Sequence, residues 1–568
     1  MLTRALWVKP DGRGNILPIF VAPVRHPAAV RRTKDMGPCI GAGPAKILDQ
    51  VPLGGEVAGP PCKRSNMAMR VLYVTSEVFP FAKTGGLADV SASLPVALRD
   101  LGIDVRLLVP GYPQALERAS DAKEVLRLGD PLGCGEVRLL ETSLPFSDVP
   151  VWLIDCPRLY DRAGGLYQTE AGGDWPDNAL RFALLNHVAA GIANEPGRAW
   201  RPDLIHANDW HAGLIPLLLA GRSRPRPATL FTVHNLAYQG LFTPEELARL
   251  DLPANAYEAM EFYGRISFLK AGIRSADAIT TVSPTYATEI LTPEYGCGLD
   301  GLLRERAADL TGILNGVDYR IWDPGTDPYL ACNYSARSFA AKTDCKRSIQ
   351  VEFGLEVDAD KPLMAFMSRL VHQKMPDVVL EALPALLEQG MQFVVVAEGD
   401  NGYQTCFRDL AAHYPGRVAA QGYQEAVGHR LLAGADMLLH PSRFEPCGLV
   451  PIYAQRYGTI PLVRRSGGMA DTVVDASPET IRQGTATGLA FDHPSTAELT
   501  ACVGRALSLY RQPISWRKIQ AAAMRQDFSW QRSAKAYADL YRSLTGAPAI
   551  APPRVIVIQG EALEKLTA

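Results

Sequence analysis

The sequence predicts an α/β protein built from two doubly wound domains, and two observations support this. At 568 residues the chain is too long for one hydrophobic core. Short apolar runs alternate with helical stretches, and this alternation occurs in two series, one from Met69 onward and one from about Leu363. Strands that alternate with helices form parallel sheets covered on both faces, with ligand sites at the carboxyl ends of the strands.

The apolar runs are the candidate strands. In the first series they cover residues 71–75, 104–110, 151–155, 204–207, 229–234 and 278–282. In the second series they cover residues 363–368, 393–397, 418–421, 437–440 and 460–463. Helical patterns lie between them, for example over residues 178–193 and 263–275. Asn-Gly and Asp-Pro turns between Asn315 and Pro328 place the joint between the two domains.

Composition argues against several classes of partner. The chain is 47% hydrophobic and 21% charged, as is usual for a globular protein, and its formal net charge is −2. This balance predicts no nucleic-acid partner and no anionic membrane partner, and no apolar run approaches the roughly 18 residues of a membrane-spanning helix. The ten cysteines are scattered without the spacing of a zinc site. We therefore expect reduced thiols, no metal site and a cytoplasmic protein.

The two ends of the chain differ from the rest. Residues 1–68 are rich in Gly, Pro and Arg and lack periodicity. We expect them to be disordered, or to precede the true first residue, which would then be Met67 or Met69. After Leu544 the helical pattern stops, and we expect a tail over residues 546–568.

The loop after the first candidate strand carries a pattern typical of phosphate or sugar binding. Lys83-Thr84-Gly85-Gly86-Leu87 follows that strand and precedes a helical pattern. The two glycines lack a Cβ, so the backbone can approach a ligand closely. The helix start offers free N–H groups with a partial positive charge, and Lys83 adds a full one.

Two cations follow the first strand of the second series. Arg369 and Lys374 lie on one strand-to-helix loop, an arrangement that suits a diphosphate. A solvated basic turn explains the same residues about equally well, because exposed basic turns are common.

A carboxylate follows a later strand of the same series. Glu445 lies at a strand-to-helix junction, where it suits a hydroxylated ligand or, alternatively, caps the N–H groups of the helix. Gly448 permits close backbone approach, and Ser466-Gly467-Gly468 is a further glycine-rich turn on the same edge.

In the first series, Asp209 follows one strand and His234 ends the next. The spacing of His206 and His211 is not that of a metal pair. A histidine at a strand end is more often structural than catalytic, but His234 shares its expected sheet edge with Lys83, which favours a functional role.

Other motifs are excluded. The sequence has no GxxxxGK[ST] and no strand–GxGxxG–helix, so neither a P-loop nucleotidase nor a nicotinamide enzyme is favoured. Asp358-Ala359-Asp360 precedes a strand, and we interpret it as a turn and not as a metal site.

From about Met69 to Leu544 the chain resembles bacterial glycogen synthases and plant starch synthases. The motifs that carry the resemblance are long and occur in order. They are Lys83-Thr84-Gly85-Gly86-Leu87, Asp174-Trp175-Pro176-Asp177-Asn178, His206-Ala207-Asn208-Asp209-Trp210-His211, Val233-His234-Asn235-Leu236-Ala237-Tyr238-Gln239-Gly240, Ile313-Leu314-Asn315-Gly316-Val317-Asp318 and Glu445-Pro446-Cys447-Gly448-Leu449.

The resemblance implies the GT-B fold, in which two Rossmann-like domains face each other across a deep cleft. It implies an acceptor-side domain over residues 69–318, a donor-binding domain over 319–523 and a C-terminal helix over 524–545 that returns to the first domain. The implied reaction transfers glucose from ADP-glucose to the non-reducing end of an α-1,4-glucan such as glycogen, with retention of anomeric configuration. ADP-glucose is then a substrate, no cofactor or metal is required, and a homo-oligomer is left open.

The resemblance also implies residue roles. The expected catalytic residues are His234, Glu445, Lys374, Arg369 and Asp209. His234 would contact the sugar at the reacting centre, Arg369 and Lys374 would hold the diphosphate as it leaves, and Glu445 would lie near the sugar and the leaving group. The expected substrate-binding residues are Lys83, Gly85, Gly86, Asn315, Tyr423, Cys447, Gly448 and Leu449. Among these, Lys83 and its glycines would face the donor's phosphate and glucose, and Tyr423 would stack on the base.

The sequence departs from the usual family pattern at three places. Met375 and Ala397 each stand at a position where the family usually has Gly. Val450-Pro451 stands where Thr-Gln is common. Pro at the second position of a helix is tolerated, because an N–H there has no intrahelical partner.

Two alternatives stay open. A related transferase could use UDP-glucose or a small acceptor such as a sugar phosphate. A degenerate relative could bind glucan or nucleotide without turnover, although Lys83, His234, Arg369, Lys374 and Glu445 are all retained.

Overall fold

The computed structural model describes residues 68–194, 200–220 and 226–547. The expectations for residues 1–67 and for the tail beyond residue 547 lie outside these described residues. The strands are β1 (Arg70–Val74), β2 (Asp104–Pro110), β3 (Lys123–Arg127), β4 (Arg138–Ser143), β5 (Pro150–Asp155), β6 (Leu204–Asn208), β7 (Ala228–Val233), β8 (Leu241–Phe242), β9 (Glu261–Phe262), β10 (Arg265–Ser267), β11 (Ala278–Thr281), β12 (Leu310–Gly312), β13 (Leu363–Leu370), β14 (Gln392–Gly399), β15 (Val418–Gln421), β16 (Met437–His440), β17 (Ile460–Arg464) and β18 (Leu489–Phe491).

The helices connect these strands. They are α1 (Gly86–Asp100), α2 (Pro113–Arg118), α3 (Pro157–Tyr160), α4 (Asn178–Asn194), α5 (Leu214–Ala220), α6 (Ala256–Met260), α7 (Phe268–Ser275), α8 (Pro284–Glu289), α9 (Asp300–Glu305), α10 (Ala341–Glu352), α11 (Pro376–Leu387), α12 (Asn401–His413), α13 (Glu425–Gly434), α14 (Leu449–Arg456), α15 (Gly467–Thr472), α16 (Pro478–Gln483), α17 (Thr496–Tyr510), α18 (Pro513–Met524) and α19 (Trp530–Thr545). Short 3-10 turns cover Pro131–Gly133, Trp210–Ala212, Pro244–Arg249, Ala307–Asp309 and His372–Lys374.

The first sheet has nine strands in the order β12-β11-β7-β6-β1-β2-β5-β4-β3. Neighbouring strands are parallel from β12 to β5, whereas β4 and β3 are antiparallel at one edge. The central strand β1, RVLYV, is buried at four of its five positions, as expected in a parallel sheet covered on both faces. Sequence reasoning missed β3 because that edge strand is mostly exposed and has no apolar run.

The second sheet has six strands, all parallel, in the order β15-β14-β13-β16-β17-β18. Its five predicted strands are present, and those over 418–421 and 437–440 have the predicted bounds. The sixth, β18, has three residues, too few to give a pattern. The predicted class, α/β with two doubly wound parallel sheets, is confirmed.

One predicted helix begins in the wrong place. The pattern over residues 263–275 contains a helix only from Phe268, because residues Arg265–Ser267 form β10 of a small sheet ordered β8-β10-β9. Ser267 is extended and its side chain accepts a hydrogen bond from the N–H of Lys270, so it caps α7.

The last helix, α19, packs against α1 and against β6 and β7 of the first sheet. His206 in β6 joins them, because Nδ1 lies 2.7 Å from the Tyr541 hydroxyl and Nε2 lies 2.6 Å from the Thr232 hydroxyl. Burial lowers the pKa of His206 well below its usual value, so the ring is neutral and holds α19 to the sheet. No helix within the described ranges is both long and apolar enough to cross a membrane.

Candidate active site

Lys374 and Glu445 form a buried ion pair between two loops of the second sheet. Lys374 ends the 3-10 turn after β13, and Glu445 lies between β16 and α14. Both are at most 9% exposed, and the ammonium of Lys374 donates to Oε2 of Glu445. The hydroxyl of Ser442 donates to the same oxygen at 3.0 Å, and Nε2 of His440 lies 3.5 Å from it. Lys374 is therefore not part of a solvated basic turn.

The ionisation of Glu445 follows from these neighbours. Burial favours the neutral acid, but Lys374 and His440 outweigh it and hold the pKa of Glu445 well below its usual range. Burial and the charge of Lys374 lower the pKa of His440, so its ring is neutral. Oε1 of Glu445 accepts no hydrogen bond from any residue in the described ranges, which leaves it available to a ligand hydroxyl.

The loops that carry this pair are bound to each other. The N–H of Arg443 donates to the carbonyl of Gln373 at 2.8 Å, and the amide of Gln373 donates to the carbonyl of Phe444 at 2.9 Å. The guanidinium of Arg443 contacts both oxygens of Asp377, at 3.0 and 2.7 Å. These bonds fix Lys374 relative to Glu445.

Arg369 differs from Lys374 although it lies at the end of the same strand. It pairs in register with Glu398 of β14, and its side chain is exposed. Among the residues the structure describes, its guanidinium has no hydrogen-bond or ion-pair partner. The strand end therefore presents one positive charge that no carboxylate neutralises.

The Gly467-Gly468 turn packs closely against the loop that carries Glu445. Gly467 has φ +44°, and a Cβ there would overlap the carbonyl oxygen of Glu445. A Cβ on Gly468 would overlap the carbonyl of Cys447, and the N–H of Gly468 donates to the carbonyl of Glu445 at 3.1 Å. Both glycines are therefore needed for packing, whatever ligand the edge binds.

Asn315 and Cys447 meet where the two halves of the chain approach each other. Asn315 is 4% exposed, its Oδ1 has no partner in the described chain, and its backbone and side chain face the Cys447 thiol. Burial raises the pKa of that thiol to about 12. Gly448 follows with φ +78° and is the N-cap of α14, whose first residue is Leu449.

Leu449 contacts the glycine-rich loop of the first sheet. Its Cδ1 lies 3.3 Å from the position of a Cβ on Gly86. We expected Pro451 at the second position of a helix, but it is the third residue of α14. The conclusion is unchanged, because an N–H at that position also lacks an intrahelical partner.

Met375 stands where the resemblance led us to expect glycine, and its backbone conformation is one that glycine favours. It has φ +55° and ψ +39°, in the left-handed region that glycine adopts without strain. Its side chain is fully buried in the core of the second sheet. Methionine thus preserves the turn and adds apolar contacts.

Lys83 is paired with two carboxylates. Its ammonium lies 2.9 Å from Oδ1 of Asp89 and 3.3 Å from Oε2 of Glu425, which is 342 positions away in the chain. The hydroxyl of Tyr423 donates to the same oxygen of Glu425 at 2.9 Å. Burial disfavours the charge on Lys83, but the carboxylates outweigh it and raise the pKa. Lys83 therefore carries a charge that is already compensated.

The N–H groups beside Lys83 are also occupied. Those of Thr84 and Gly85 donate to Oε2 of Glu77 at 2.6 and 3.2 Å, and the hydroxyls of Thr84 and Tyr167 donate to Oε1, each at 2.6 Å. The expectation of free N–H groups is wrong for Thr84 and Gly85. The reason is that Glu77 is 3% exposed and a buried carboxylate needs donors.

Asp209 and His234 form a third group at the ends of β6 and β7. Oδ1 of Asp209 accepts the backbone N–H of His234 at 2.7 Å, and Nε2 of His234 lies 3.0 Å from Oδ1 of Asn208. The Asn208 amide nitrogen donates to the carbonyl of Val74, so Oδ1 accepts and Nε2 carries the ring proton. Nδ1 is then the acceptor that a ligand can reach.

Burial decides the protonation of this third group. It lowers the pKa of His234 to about 3, so the ring is neutral. It raises the pKa of Asp209 to about 7, although the backbone N–H groups of His234 and Asn235 oppose the shift. Across the described ranges no hydrogen bond or ion pair joins this group to Lys374 and Glu445.

Sequence reasoning missed several residues of the site. Asp89 and Glu77 lie within six positions of Lys83, and Ser442 and His440 lie within five of Glu445, so proximity in the chain was an available signal. Glu425 and Tyr167 gave no local signal. No cluster of three or more metal-ligating side chains occurs in the part of the chain that the structure describes.

Comparison with protein families gives two matches. Residues 70–305 match the family described as the starch synthase catalytic domain, and residues 350–521 match glycosyl transferases group 1.

Known proteins resemble the chain over most of its length. A glycogen synthase of Paramagnetospirillum magneticum is 51% identical over 484 residues, which cover 84% of this chain and 98% of that protein. A glycogen synthase of Burkholderia thailandensis is 52% identical over 481 residues, covering 84% of this chain and 90% of that protein.

Solved structures share the fold. The catalytic domain of starch synthase IV from Arabidopsis thaliana, bound to ADP and acarbose, has a TM-score of 0.76 and 28% identity, and the match covers 84% of this chain and 100% of that one. A sucrose-phosphate synthase from Thermosynechococcus elongatus has a TM-score of 0.53, 17% identity and the same coverages, 84% and 100%, and supports the fold alone.

Proposed function

Because this chain belongs to the glycogen synthase family, we propose that it transfers glucose from ADP-glucose to the non-reducing end of an α-1,4-glucan such as glycogen, with retention of anomeric configuration. The observation that carries the proposal is the charge at the end of β13. Arg369 is unpaired there, and Lys374 is bound by Glu445 alone among the described carboxylates. Ligands of such sheets bind at the carboxyl ends of the strands.

The chemistry follows from charge. As the bond between the anomeric carbon and the diphosphate breaks, negative charge develops on the phosphate oxygens and positive charge on the sugar. Fixed cations at the oxygens stabilise that state, and we assign this role to Arg369 and Lys374. The acceptor hydroxyl oxygen attacks on the face that the phosphate leaves, and its proton passes to the departing phosphate.

Glu445 and His234 are assigned to the sugar. The lowered pKa of Glu445 makes it a weak base, which supports an orienting role and not proton transfer. Its Oε1 and Nδ1 of His234 are acceptors suited to sugar hydroxyls. Asp209, whose Oδ1 holds the His234 backbone, and Asn315, with an unpartnered Oδ1, are assigned to the glucose as neighbours.

The remaining substrate contacts are assigned as follows. Lys83, Gly85 and Gly86 face the donor's phosphate and glucose, Tyr423 stacks on its base, and Cys447, Gly448 and Leu449 form the donor loop. The ADP and acarbose bound to the Arabidopsis relative support an adenine nucleotide and an oligosaccharide as the two substrates.

The domain division is assigned on the same basis. Residues 69–318 form the acceptor side, 319–523 bind the donor, and 524–545 return to the first domain. The packing of α19 on α1 supports the last assignment. We place the enzyme in the cytoplasm, which fractionation of cells that express it would test.

The test is nucleotide release with glycogen as acceptor, comparing ADP-glucose with UDP-glucose. We expect ADP release and incorporation of glucose that a β-amylase digest removes, as expected for additions at non-reducing ends. Release from UDP-glucose alone would overturn the donor assignment. Retained glycogen binding without release from either donor would favour the degenerate relative. Lys361→Ala is the matched control for Lys374→Ala, because its partly exposed ammonium also pairs with a carboxylate, that of Glu356.

A further inference from the structure

Nothing in the proposed reaction uses His440, yet it is one of the most buried polar residues beside the site. It is the last residue of β16 and is 2% exposed. Neither ring nitrogen makes a hydrogen bond of ordinary geometry within the described chain, although the backbone of Met367 lies beside the ring. Because a buried polar atom without a partner is costly, such a group calls for an explanation.

The ring faces Glu445. Nε2 of His440 lies 3.5 Å from Oε2 of Glu445, slightly longer than a hydrogen bond. That oxygen already accepts the Lys374 ammonium and the Ser442 hydroxyl. Two donors thus hold one carboxylate oxygen, the His440 ring lies just beyond hydrogen-bond distance of it, and the other oxygen is left for the ligand.

Lys374 has two competing anions in the proposed reaction. Without donor it is bound to Glu445, and with donor it must also serve the leaving diphosphate. Any motion toward the phosphate weakens its hold on Oε2. Glu445 would then be a buried carboxylate held by the Ser442 hydroxyl alone, unless His440 moves a few tenths of an ångström closer.

We propose that His440 is a positioning residue for Glu445: its Nε2–H takes over Oε2 when Lys374 engages the diphosphate, and this keeps Oε1 directed at the sugar. The inference rests on the proposed function. A neutral imidazole suits this task, because it donates a hydrogen bond without adding a charge that would compete with Lys374 for the phosphate. The backbone supports it, since β16 pairs with β13 on one side and with β17 on the other.

Two substitutions separate the hydrogen bond from the packing. His440→Leu keeps the volume and removes the donor, whereas His440→Gln keeps an N–H donor. We expect His440→Leu to lower kcat about tenfold, the size of one hydrogen bond to a charged group, with little change in KM for ADP-glucose. His440→Gln should stay within about threefold of wild type. His440→Leu should not lower Tm, because it replaces a buried polar ring that makes no hydrogen bond of ordinary geometry with an apolar side chain.

The control is His493→Gln, since the side chain of His493 is 80% exposed. Wild-type kcat in His440→Leu would overturn the proposal, as would an equal loss in both variants. A loss of kcat that comes with a lower Tm would indicate a structural role and would also overturn it.

A measurement without turnover distinguishes failure of this inference from failure of the proposed function. The ring 15N resonances of His440, assigned by their absence in His440→Gln, report the hydrogen bond directly. Addition of ADP should shift the Nε2 resonance in wild type and leave it unmoved in Glu445→Gln. An unchanged Nε2 resonance in ADP-saturated wild type would reject the role of His440, whatever the enzyme's substrates.

Discussion

Asp209 and Glu445 are equally buried carboxylates in the two halves of the molecule, and they ionise in opposite ways. Asp209 is 9% exposed and Glu445 is 8% exposed. Burial raises the pKa of Asp209 to about 7, and two backbone N–H groups only partly oppose it. The pKa of Glu445 is held well below its usual range because Lys374, together with His440, more than offsets the same burial. A full positive charge in contact with the carboxylate therefore lowers its pKa more than burial raises it, whereas two backbone N–H groups do not.

The comparison assigns different tasks to the two sheet ends. The second sheet keeps fixed opposite charges that can reorganise around a diphosphate. The first sheet keeps neutral or nearly neutral groups, His234 and Asp209, that suit sugar hydroxyls. The following substitutions test this division.

Lys374→Ala should have the largest effect. Removing the ammonium takes away charge from the leaving diphosphate and should lower kcat about 10²- to 10³-fold, as for other fixed donors to a developing charge. It should also raise the pKa of Glu445 toward that of Asp209, because only Ser442 and His440 would then oppose the effect of burial. Steady-state kinetics checks the first effect. The second is checked by the 13C shift of the Glu445 carboxyl against pH.

Lys361→Ala, which removes a partly exposed ammonium paired with Glu356, is the matched control, and it should change neither kcat nor the pKa of Glu445. A Glu445 carboxyl that stays ionised at pH 4 in Lys374→Ala would show that Ser442 and His440 suffice, and the contrast between the two carboxylates would then have another cause.

Asp209→Asn should have the next largest effect, and we expect this effect on the stability of the fold. The pKa of Asp209 is about 7 in the folded state, above the unfolded value of about 3.9. Its contribution to stability is therefore fully present below about pH 4 and is lost as pH rises through about 7. Asparagine cannot ionise, so the Tm of Asp209→Asn relative to wild type should increase from pH 4 to pH 8. Thermal unfolding across that range checks it.

Thermal unfolding of Glu445→Gln across pH should show the opposite dependence of Tm on pH. Glu445 has a lowered pKa in the folded state, so its contribution is present above the unfolded pKa of about 4.3 and is lost as pH falls below it. The difference in Tm between wild type and Glu445→Gln should therefore become smaller as pH falls from 6 to 3. If Tm relative to wild type changed with pH in the same way in Asp209→Asn and Glu445→Gln, the two carboxylates would not ionise in opposite ways.

The sequence predicted the positions of strands and of polar residues at their ends better than it predicted which side chains contact each other. Apolar runs located β13, β14, β16 and β17, and polar residues after those runs marked the strand ends. The exposed edge strand β3 and the three-residue β18 lacked a pattern. The pairing of Lys83 with Glu425 depends on how two distant segments approach each other, and no local pattern contains that information. The opposite ionisation of Asp209 and Glu445 depends on one contact for the same reason.

Gly85→Ala tests whether a ligand approaches the loop of the first sheet. Gly85 has φ −159°, which any residue adopts, and a Cβ there meets nothing within 4 Å. Tm should therefore be unchanged. If the donor approaches this backbone, the new methyl should raise KM for ADP-glucose about fivefold, equivalent to ~1 kcal/mol of overlap. Gly86→Ala is the comparison, because its Cβ would press on Leu449 even without ligand. An unchanged KM in Gly85→Ala would remove Gly85 from the site.

Glu425→Gln should have the smallest effect, because Lys83 and Glu425 are each about a quarter to a third exposed, at 26% and 32%. A pair of this exposure is worth about 0.5–1 kcal/mol. The donor must compete with Glu425 for Lys83, so its removal should tighten ADP-glucose binding about two- to fivefold. Calorimetry at low and high salt checks this, since the gain should fade as salt screens the pair. Glu352→Gln, which removes an exposed partner of Arg430, is the control. Weaker binding in Glu425→Gln would mean that Glu425 orients Lys83 or Tyr423 for the donor and does not compete with it.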